Sequence, residues 1–259
     1  MINFYKYQGA GNDFILIDNR QQLFKNNKKQ LAQQLCKRRF GIGSDGLIFI
    51  ENHTDSDFLI DFLNPDGSRS FCGNGSRCAV KFAHYLGIFK KQHTSFKAID
   101  GIHKAQLVND LVKIEMKDVQ SIQQIDKDFF INTGSPHYIK YFKNINQLDL
   151  IKLGQTIRYS DTYKNEGTNV NAVEKIAPHH IKVRTYERGV ENETLACGTG
   201  VTACALSYAL LNQLKNNTIK VDAVGGQLEV SFTQQPNGNF TNIWLTGPAQ
   251  FVFKGSYDL

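Results

Sequence analysis

Two short segments of the chain combine a cysteine with two closely spaced glycines. Cys72-Gly73-Asn74-Gly75 and Cys197-Gly198-Thr199-Gly200 each lead into an apolar stretch with helical spacing. The first backbone N–H groups of a helix have no partner within the helix, so they attract anions and favour the ionised form of a nearby thiol. Each segment therefore predicts a reactive thiol beside an anion-binding helix end.

Two such thiols suit the inversion of an amino acid at the carbon between its ammonium and carboxylate groups. One base cannot easily reach both faces of a fixed carbon, whereas one thiolate can remove a proton and a second thiol can deliver one to the opposite face. Helix-end N–H groups can stabilise the negative charge that builds up on the carboxylate. The predicted acid and base are Cys72 and Cys197, and the predicted carboxylate holders are Gly73, Asn74, Gly198 and Thr199.

The elements that must position these residues occur in the same order twice. Each half brings a strand and a polar turn, then a further strand, the cysteine segment and an apolar helix. The two opening strand-turn units lie at Phe4 to Asp13 and at Phe129 to His137. This order resembles a duplication of one unit, with the divide near residues 117–120.

The second apolar helix indicates the kind of fold. Apolar residues occupy nearly every face of the stretch from Val201 to Leu211, and a helix that is apolar all round is buried on all sides. A curled sheet wrapped around a central helix would bury it in this way. The first helix, which carries Lys81 and His84, is more polar but still short and apolar.

Composition and charge exclude several functional classes. The formal charge is +6, but the basic residues form only short, widely separated groups, whereas nucleic-acid binding would favour a clustered basic face. No apolar run approaches the ~20 residues of a membrane span, and the N-terminus lacks the pattern of a signal peptide. The five cysteines are odd in number, which favours a reducing, cytoplasmic compartment. We expect Cys36, Cys78 and Cys204 to be core residues.

Eight motifs occur in order along essentially the whole chain, and together they resemble the diaminopimelate epimerase family. They are Gly9-Ala10-Gly11-Asn12-Asp13-Phe14, Gly43-Ser44-Asp45-Gly46, Asn64-Pro65-Asp66-Gly67-Ser68, Cys72-Gly73-Asn74-Gly75, Glu166-Gly167-Thr168-Asn169-Val170-Asn171, Tyr186-Glu187-Arg188-Gly189, Ala196-Cys197-Gly198-Thr199-Gly200 and Leu245-Thr246-Gly247-Pro248-Ala249.

This resemblance implies a fold and an activity. The fold would be α/β, with two pseudo-symmetric halves that each wrap a curled, mostly antiparallel sheet around a central helix. The halves would cover 1–117, joined by a final strand at about 250–259, and 118–249. The activity would be interconversion of LL- and meso-2,6-diaminopimelate in lysine and peptidoglycan synthesis, without pyridoxal phosphate or metal. Relatives are often homodimers.

The resemblance also implies a role for individual residues. Asn12 would orient the reacting amino acid, Asn64, Asn171 and Arg188 would hold the distal end of the substrate, and Glu187 would bind an ammonium group. Two positions depart from the pattern of many members: Ser135 stands where an asparagine is common, and Gly46 where some members have glutamine. Neither departure touches the thiols, so both bear on substrate preference rather than on reaction type.

Two alternatives to this activity stay open at the level of sequence. The chain could be another cofactor-independent amino-acid racemase of the same fold, or a silent binding protein that captures an amino acid at its helix ends. His137 could orient the substrate or make a structural hydrogen bond. Exchange of the α-proton with solvent separates the enzymes from the binding protein.

Overall fold

The computed structural model describes residues 1–258, and of Asn216 only the backbone, as a mixed α/β protein with many strands and few helices. The strands are β1 (Ile2–Gly9), β2 (Asn12–Asp18), β3 (Gly46–Glu51), β4 (Phe58–Leu63), β5 (His93–Ala98), β6 (Gly101–Val108), β7 (Leu111–Glu115), β8 (Ile122–Ile125), β9 (Asp128–Asn132), β10 (Pro136–Tyr141), β11 (Asn169–Ala177), β12 (His180–Glu187), β13 (Asn192–Thr194), β14 (Asn216–Ala223), β15 (Gly226–Gln234), β16 (Phe240–Pro248) and β17 (Gln250–Tyr257). The helices are α1 (Lys28–Leu35), α2 (Gly73–Tyr85), α3 (Leu150–Arg158) and α4 (Gly198–Leu211). Within residues 1–258, no helix has both the length and the apolar character needed to cross a membrane.

The chain forms two compact units. Unit 1 contains Met1–Ile114 and Gly247–Leu259, and unit 2 contains Glu115–Thr246. The halves expected from the sequence, 1–117 with about 250–259 and 118–249, have boundaries slightly later in the chain than these.

Unit 1 wraps a mostly antiparallel sheet around α2. Its strands pair in the order β17-β1-β2-β3-β4-β5-β6-β7, with parallel pairing between β2 and β3 and between β4 and β5. Helix α2 contacts β1, β2, β3 and β4, and its residues Cys78, Val80 and Phe82 are fully buried among them. A two-residue turn joins β1 to β2, and both of its residues, Ala10 and Gly11, have positive φ, as the tight hairpin requires.

Unit 2 repeats this arrangement around α4. Its strands pair in the order β8-β9-β10-β11-β12-β14-β15-β16, and β13 also pairs with β12. The parallel pairs are β10 with β11 and β12 with β14, which correspond in topology to the two parallel pairs of unit 1. Strands on several sides cover α4, and Val201, Cys204 and Leu206 are buried, as the all-round apolar pattern predicts.

The predicted fold class is therefore confirmed, with two differences in detail. Cys36, Cys78 and Cys204 are buried, as expected for core cysteines. The helical spacing of Leu31, Ala32, Leu35 and Cys36 predicts a helix over Lys28 to Arg39, but α1 ends at Leu35. Arg39 has a left-handed φ of 73°, which a right-handed helix cannot contain, so the helix could not have reached the predicted end. A short strand, β13, also lies between β12 and the second cysteine segment.

Candidate active site

The two cysteines hold equivalent positions at the starts of the two buried helices. Cys72 is the N-cap of α2 with φ −128° and ψ 109°, and Cys197 is the N-cap of α4 with φ −114° and ψ 112°. The first bonds of the two helices run from Ser76 N–H to the Cys72 carbonyl and from Val201 N–H to the Cys197 carbonyl, both 2.8 Å. The N–H groups that precede these bonds are not used inside the helices. They include those of Gly73, Asn74, Gly198 and Thr199.

In unit 1, the half-buried Cys72 thiol caps its own helix. Its Sγ accepts a hydrogen bond from the Gly75 N–H at 3.4 Å. The same bond would favour a thiolate, because a negatively charged sulfur is the stronger acceptor. A Cβ added to Gly75 would lie 3.5 Å from this sulfur and 3.3 Å from Ile48 Cδ1, so a methyl group would fit there with only a small shift of the Ile48 side chain.

Asn12 and Asn74, both predicted to bind substrate, contact each other. Asn74 Nδ2 donates to Asn12 Oδ1 at 2.5 Å, and Asn12 Nδ2 donates to Asp45 Oδ2 at 3.0 Å. The Asp45 carboxylate also accepts from Arg38 and from the Asp13 backbone. The Asn12 side chain is therefore held at both of its polar atoms, at the point where β2 begins.

Asn64 lies in the turn that follows β4. Its Nδ2 donates to the Ser68 carbonyl and hydroxyl and to the Ser70 hydroxyl, at 3.0 to 3.3 Å. Its backbone closes the same turn, since Asn64 N–H donates to the Ser68 carbonyl and Gly67 N–H donates to the Asn64 carbonyl, both at 2.8 Å. The side chain of Asn64 is thus part of the loop that leads to Cys72.

In unit 2, a chain of hydrogen bonds runs from the sheet to the Cys197 thiol. Asn171 Nδ2 lies 3.1 Å from His137 Nδ1, His137 Nε2 lies 2.9 Å from Thr199 Oγ1, and Thr199 Oγ1 lies 3.4 Å from Cys197 Sγ. Strand register brings the first two together: Asn169 pairs with His137 across the parallel strands β11 and β10, and Asn171, two residues on, shares its face.

The direction of these hydrogen bonds follows from the fixed amide of Asn171. Its Nδ2 also donates to the Tyr138 carbonyl, and its Oδ1 accepts from the Thr185 hydroxyl. His137 Nδ1 is then an acceptor, so the ring proton lies on Nε2 and is donated to Thr199. The Thr199 hydroxyl is left to donate its own hydrogen to the Cys197 sulfur. This arrangement favours a negatively charged sulfur at Cys197.

His137 is neutral over the physiological range. It is fully buried, and burial together with the positive charge of Arg188 lowers its pKa to about 3, against a smaller opposing effect of the Asn171 hydrogen bond. A neutral ring can hold one acceptor and one donor at the same time, which the bonds to Asn171 and Thr199 require.

The structure gives Asn171 and its neighbour Asn169 different partners. Every polar atom of the fully buried Asn171 side chain is bonded inside unit 2, so its predicted contact with the distal end of a substrate stays a prediction. Asn169 was not among the residues predicted to lie in the site. Its Nδ2 donates to Ser135 Oγ and to the Pro136 carbonyl, and its Oδ1 accepts from the Arg188 N–H, all at 2.9 Å. Its only sequence signal is its place in the Glu166 to Asn171 motif.

Glu187 is the last residue of strand β12, and Arg188 is the first residue after it. Thr194 donates to the Glu187 carboxylate at 3.0 Å, and the exposed Arg188 side chain donates to the Glu166 carbonyl at 2.6 Å. A Cβ on Gly167, which has φ 75°, would lie 2.6 Å from Arg188 Cδ. Only glycine suits this position, and it allows the guanidinium to fold back over the Glu166 to Asn171 motif.

Comparison with known proteins shows the family and the fold of the chain. A family model described as diaminopimelate epimerase matches residues 4–122 and 129–252. The chain is 50% identical to the diaminopimelate epimerase of Flavobacterium psychrophilum, over 96% of this chain and 98% of that protein. It is 38% identical to that of Aquifex aeolicus, over 98% and 97%. A crystal structure of the Bacillus anthracis phenazine biosynthesis protein of the PhzF family superimposes with a TM-score of 0.81 at 14% identity, covering 100% of this chain and 99% of that one, which shows a shared fold.

Proposed function

The chain belongs to the diaminopimelate epimerase family, and we propose that it interconverts LL- and meso-2,6-diaminopimelate in lysine and peptidoglycan precursor synthesis. The observation that carries this proposal is the repeated cysteine N-cap. Cys72 and Cys197 begin two buried helices with nearly the same backbone geometry, each beside N–H groups that the helix does not use. A matched pair of thiols is what a two-base inversion needs.

The proposed reaction moves one proton off, and another onto, the same carbon. One cysteine, as thiolate, takes the α-proton, and the electron pair of the broken C–H bond spreads onto the α-carboxylate. The other cysteine, as thiol, then donates its proton to the opposite face of the carbon. The two sulfurs end with exchanged protonation states, and the reverse reaction starts from there. Cys72 and Cys197 would each serve as the base for one of the two stereoisomers.

The helix ends would stabilise the intermediate. Negative charge grows on the α-carboxylate as the proton leaves, and the N–H groups at the start of a helix are directed towards such a charge. We assign this role to the backbone of Gly73, Asn74, Gly198 and Thr199, and we assign to Asn12 the orientation of the reacting amino acid. The hydrogen bonds that fix Asn12 and Asn74 support this assignment, because a fixed group does not have to reorganise during the reaction.

The Thr199 hydroxyl would help Cys197 to ionise. It receives a hydrogen bond from neutral His137 and has its own hydrogen left for the Cys197 sulfur. We therefore assign His137 and Asn171 the role of positioning Thr199.

The distal amino-acid end of the substrate needs one cationic and one anionic partner. We assign Arg188 to the distal carboxylate and Glu187 to the distal ammonium, with Asn64 and Asn171 as further partners. Asn169 positions the Arg188 backbone and the Ser135 hydroxyl. Because the serine side chain is shorter than the asparagine that is common at this position, Ser135 would contact the substrate less directly.

Three further properties remain proposals: the absence of a cofactor, a homodimeric assembly and a cytoplasmic location. Two thiols that act as acid and base must stay reduced, which supports a reducing compartment. Size-exclusion chromatography with light scattering tests the homodimer.

The direct test is incubation of the purified protein with LL-diaminopimelate, with the stereoisomers separated by chiral chromatography. Appearance of the meso form supports the proposal, and Cys72→Ala and Cys197→Ala should each abolish it. Cys36→Ala is the matched control, since that cysteine is buried elsewhere in unit 1. Conversion of proline or histidine instead would favour another racemase, and binding without α-proton exchange would favour a binding protein.

A further inference from the structure

Arg77, on helix α2, is completely buried, and no carboxylate of the residues that the structure describes pairs with it. The guanidinium Nε donates to the Pro248 carbonyl at 3.2 Å and Nη2 donates to Asn74 Oδ1 at 2.8 Å, while Nη1 is buried with no hydrogen-bond partner among residues 1–258. Arg77 interacts electrostatically with the thiols of Cys78, its neighbour in the chain, and of Cys72, at the start of the same helix. Burial of an uncompensated charge is costly, so packing alone would favour an apolar residue here.

The first consequence of Arg77 is the orientation of two amides. A guanidinium only donates, so Asn74 must present its oxygen to Arg77 and its Nδ2 to the other side. That Nδ2 donates to Asn12 Oδ1, which leaves Asn12 Nδ2 for the carboxylate of Asp45. Arg77 therefore sets the direction of the whole Asn74–Asn12–Asp45 chain from its buried end.

The closing segment of unit 1 anchors Arg77 from the other side. The Pro248 carbonyl belongs to the Gly247-Pro248-Ala249 motif, for which the proposed mechanism provides no chemical role. A Cβ on Gly9 would lie 3.1 Å from the Asn74 carbonyl oxygen, 3.2 Å from Cys78 Sγ and 3.3 Å from the Pro248 carbonyl oxygen. The backbone segments around Arg77 are thus closely packed, and the guanidinium has little freedom to turn.

The second consequence of Arg77 is its charge. Burial lowers the pKa of Arg77 to about 10, so the side chain is still protonated at neutral pH. A positive charge without a counterion favours the negatively charged form of a nearby thiol. Cys72, at the start of the same helix, is the thiol for which an ionised form has a use.

We propose that Arg77 is a positioning residue for Cys72. Its buried, uncompensated charge favours the Cys72 thiolate, and the planar set of N–H donors of its guanidinium orients Asn74 and Asn12 for the substrate. The second half of this proposal rests on the proposed function, whereas the first half concerns the thiol alone. Several other titratable groups lie in this part of unit 1. They include Cys78, whose thiol pKa is raised by burial, and Lys81 and His84, all on α2, together with Tyr7 on β1 and His103 on β6, which stacks on Phe71 and bonds Asp100. At the far end of the amide chain, Asp45 pairs with Arg38, which also pairs with Asp13, and Asp13 pairs with Lys6.

The test measures thiol ionisation without substrate. Cys72 and Cys197 are alkylated with iodoacetamide over a range of pH, and each rate is followed by peptide mass spectrometry. Arg77→Met removes the charge, and Arg77→Lys keeps the charge but loses the planar guanidinium with its several N–H donors. Lys81→Met is the control, because it removes a charge from a partly exposed position one turn further along the same helix. Circular dichroism checks folding, and Arg77→Gln replaces Arg77→Met if the latter does not fold.

In Arg77→Met, we expect Cys72 to be alkylated about tenfold more slowly near neutral pH, and the pH profile of this rate to move to higher pH. The alkylation rate of Cys197 should not change. Arg77→Lys should keep the alkylation profile of Cys72 but lower kcat by about tenfold, because an ammonium cannot hold Asn74 and Pro248 together. If the pH profile of Cys72 alkylation in Arg77→Met, or in Arg77→Gln where that variant replaces it, equals the profiles of wild type and Lys81→Met, the proposal is wrong. Alkylation needs no diaminopimelate, so this result is independent of whether the wild type proves to be an epimerase.

Discussion

The third position after each proposed catalytic cysteine allows a matched pair of substitutions with different expected outcomes. Gly75 and Gly200 are equivalent in the two cysteine segments, yet their surroundings differ. A Cβ at Gly200 would lie 2.7 Å from Asn171 Oδ1 and 3.1 Å from His137 Cε1. At Gly75 the nearest atom would be Ile48 Cδ1, the flexible tip of a side chain, at 3.3 Å.

Gly200→Ala should be destabilising, because Asn171 cannot move aside. The Asn171 amide is held by His137, the Tyr138 carbonyl and Thr185, so an added methyl group must break one of these bonds or displace α4. Overpacking costs about 1–3 kcal/mol and a broken neutral hydrogen bond about 1 kcal/mol, while alanine in place of a helical glycine returns up to about 1 kcal/mol. We expect a net loss of about 2 kcal/mol, and a fall in Tm of about 4–8 °C.

The same substitution should slow the reaction by about tenfold or more. Displacement of His137 weakens its bond to Thr199, and a hydrogen bond that supports a charged group contributes about 1.5 kcal/mol or more. Gly75→Ala should stay within about 1 kcal/mol of wild type in stability, since Ile48 can yield. Calorimetry and the initial rate of α-proton exchange measure both effects. Equal stability and equal rates for the two alanine variants would refute the fixed hydrogen-bonded chain of Asn171, His137 and Thr199 in unit 2.

Three further outcomes follow from the same geometry. Thr199→Val should lower the alkylation rate of Cys197 about tenfold near neutral pH, whereas Thr199→Ser, which keeps the hydroxyl, should retain most of the wild-type rate. Equal rates for the two variants would exclude the hydroxyl as a donor to the sulfur. His137 has a folded-state pKa below its unfolded value of about 6.5, so the unfolded chain binds the proton first and the free energy of unfolding falls as the pH drops from about 6.5 towards 3. Between pH 7 and pH 5, urea denaturation should show a loss of unfolding free energy that is about 2 kcal/mol larger for wild type than for His137→Gln. Equal losses in the two proteins would contradict a buried neutral ring. Arg188→Ala should raise the KM for diaminopimelate with a smaller effect on kcat, and an unchanged KM would point to a substrate without a distal carboxylate.

Local patterns in the sequence are sufficient for much of this fold. The glycine turn at Ala10-Gly11, the apolar α4 and the cysteine N-caps each depend on a few consecutive residues, and the structure has them where the patterns predict. The repeat of strand order around α2 and α4 is likewise visible from the order of the motifs. These features are set by backbone conformation and burial, which neighbouring residues largely determine.

The hydrogen-bond partners within the site could not be predicted in the same way. The bonds that join Asn171 to His137 and to Thr185 depend on the register of β11 against both β10 and β12, which no local pattern fixes. Arg77 gave only a weak signal, since it is one of two charged residues, with Lys81, in a short and otherwise mostly apolar helix. Gly46 illustrates the same limit: a side chain there would lie 2.5 Å from the Phe62 ring, a contact that only the pairing of β3 with β4 reveals.

The two-base claim has one direct measurement. LL-diaminopimelate is converted for less than one turnover in heavy water, and deuterium at the α-carbon is determined separately in product and in recovered substrate. With separate thiols for removal and delivery of the proton, the meso product should carry deuterium while the recovered LL form keeps its hydrogen. Comparable deuterium in both would mean that a single group serves both faces, which would contradict the paired roles of Cys72 and Cys197.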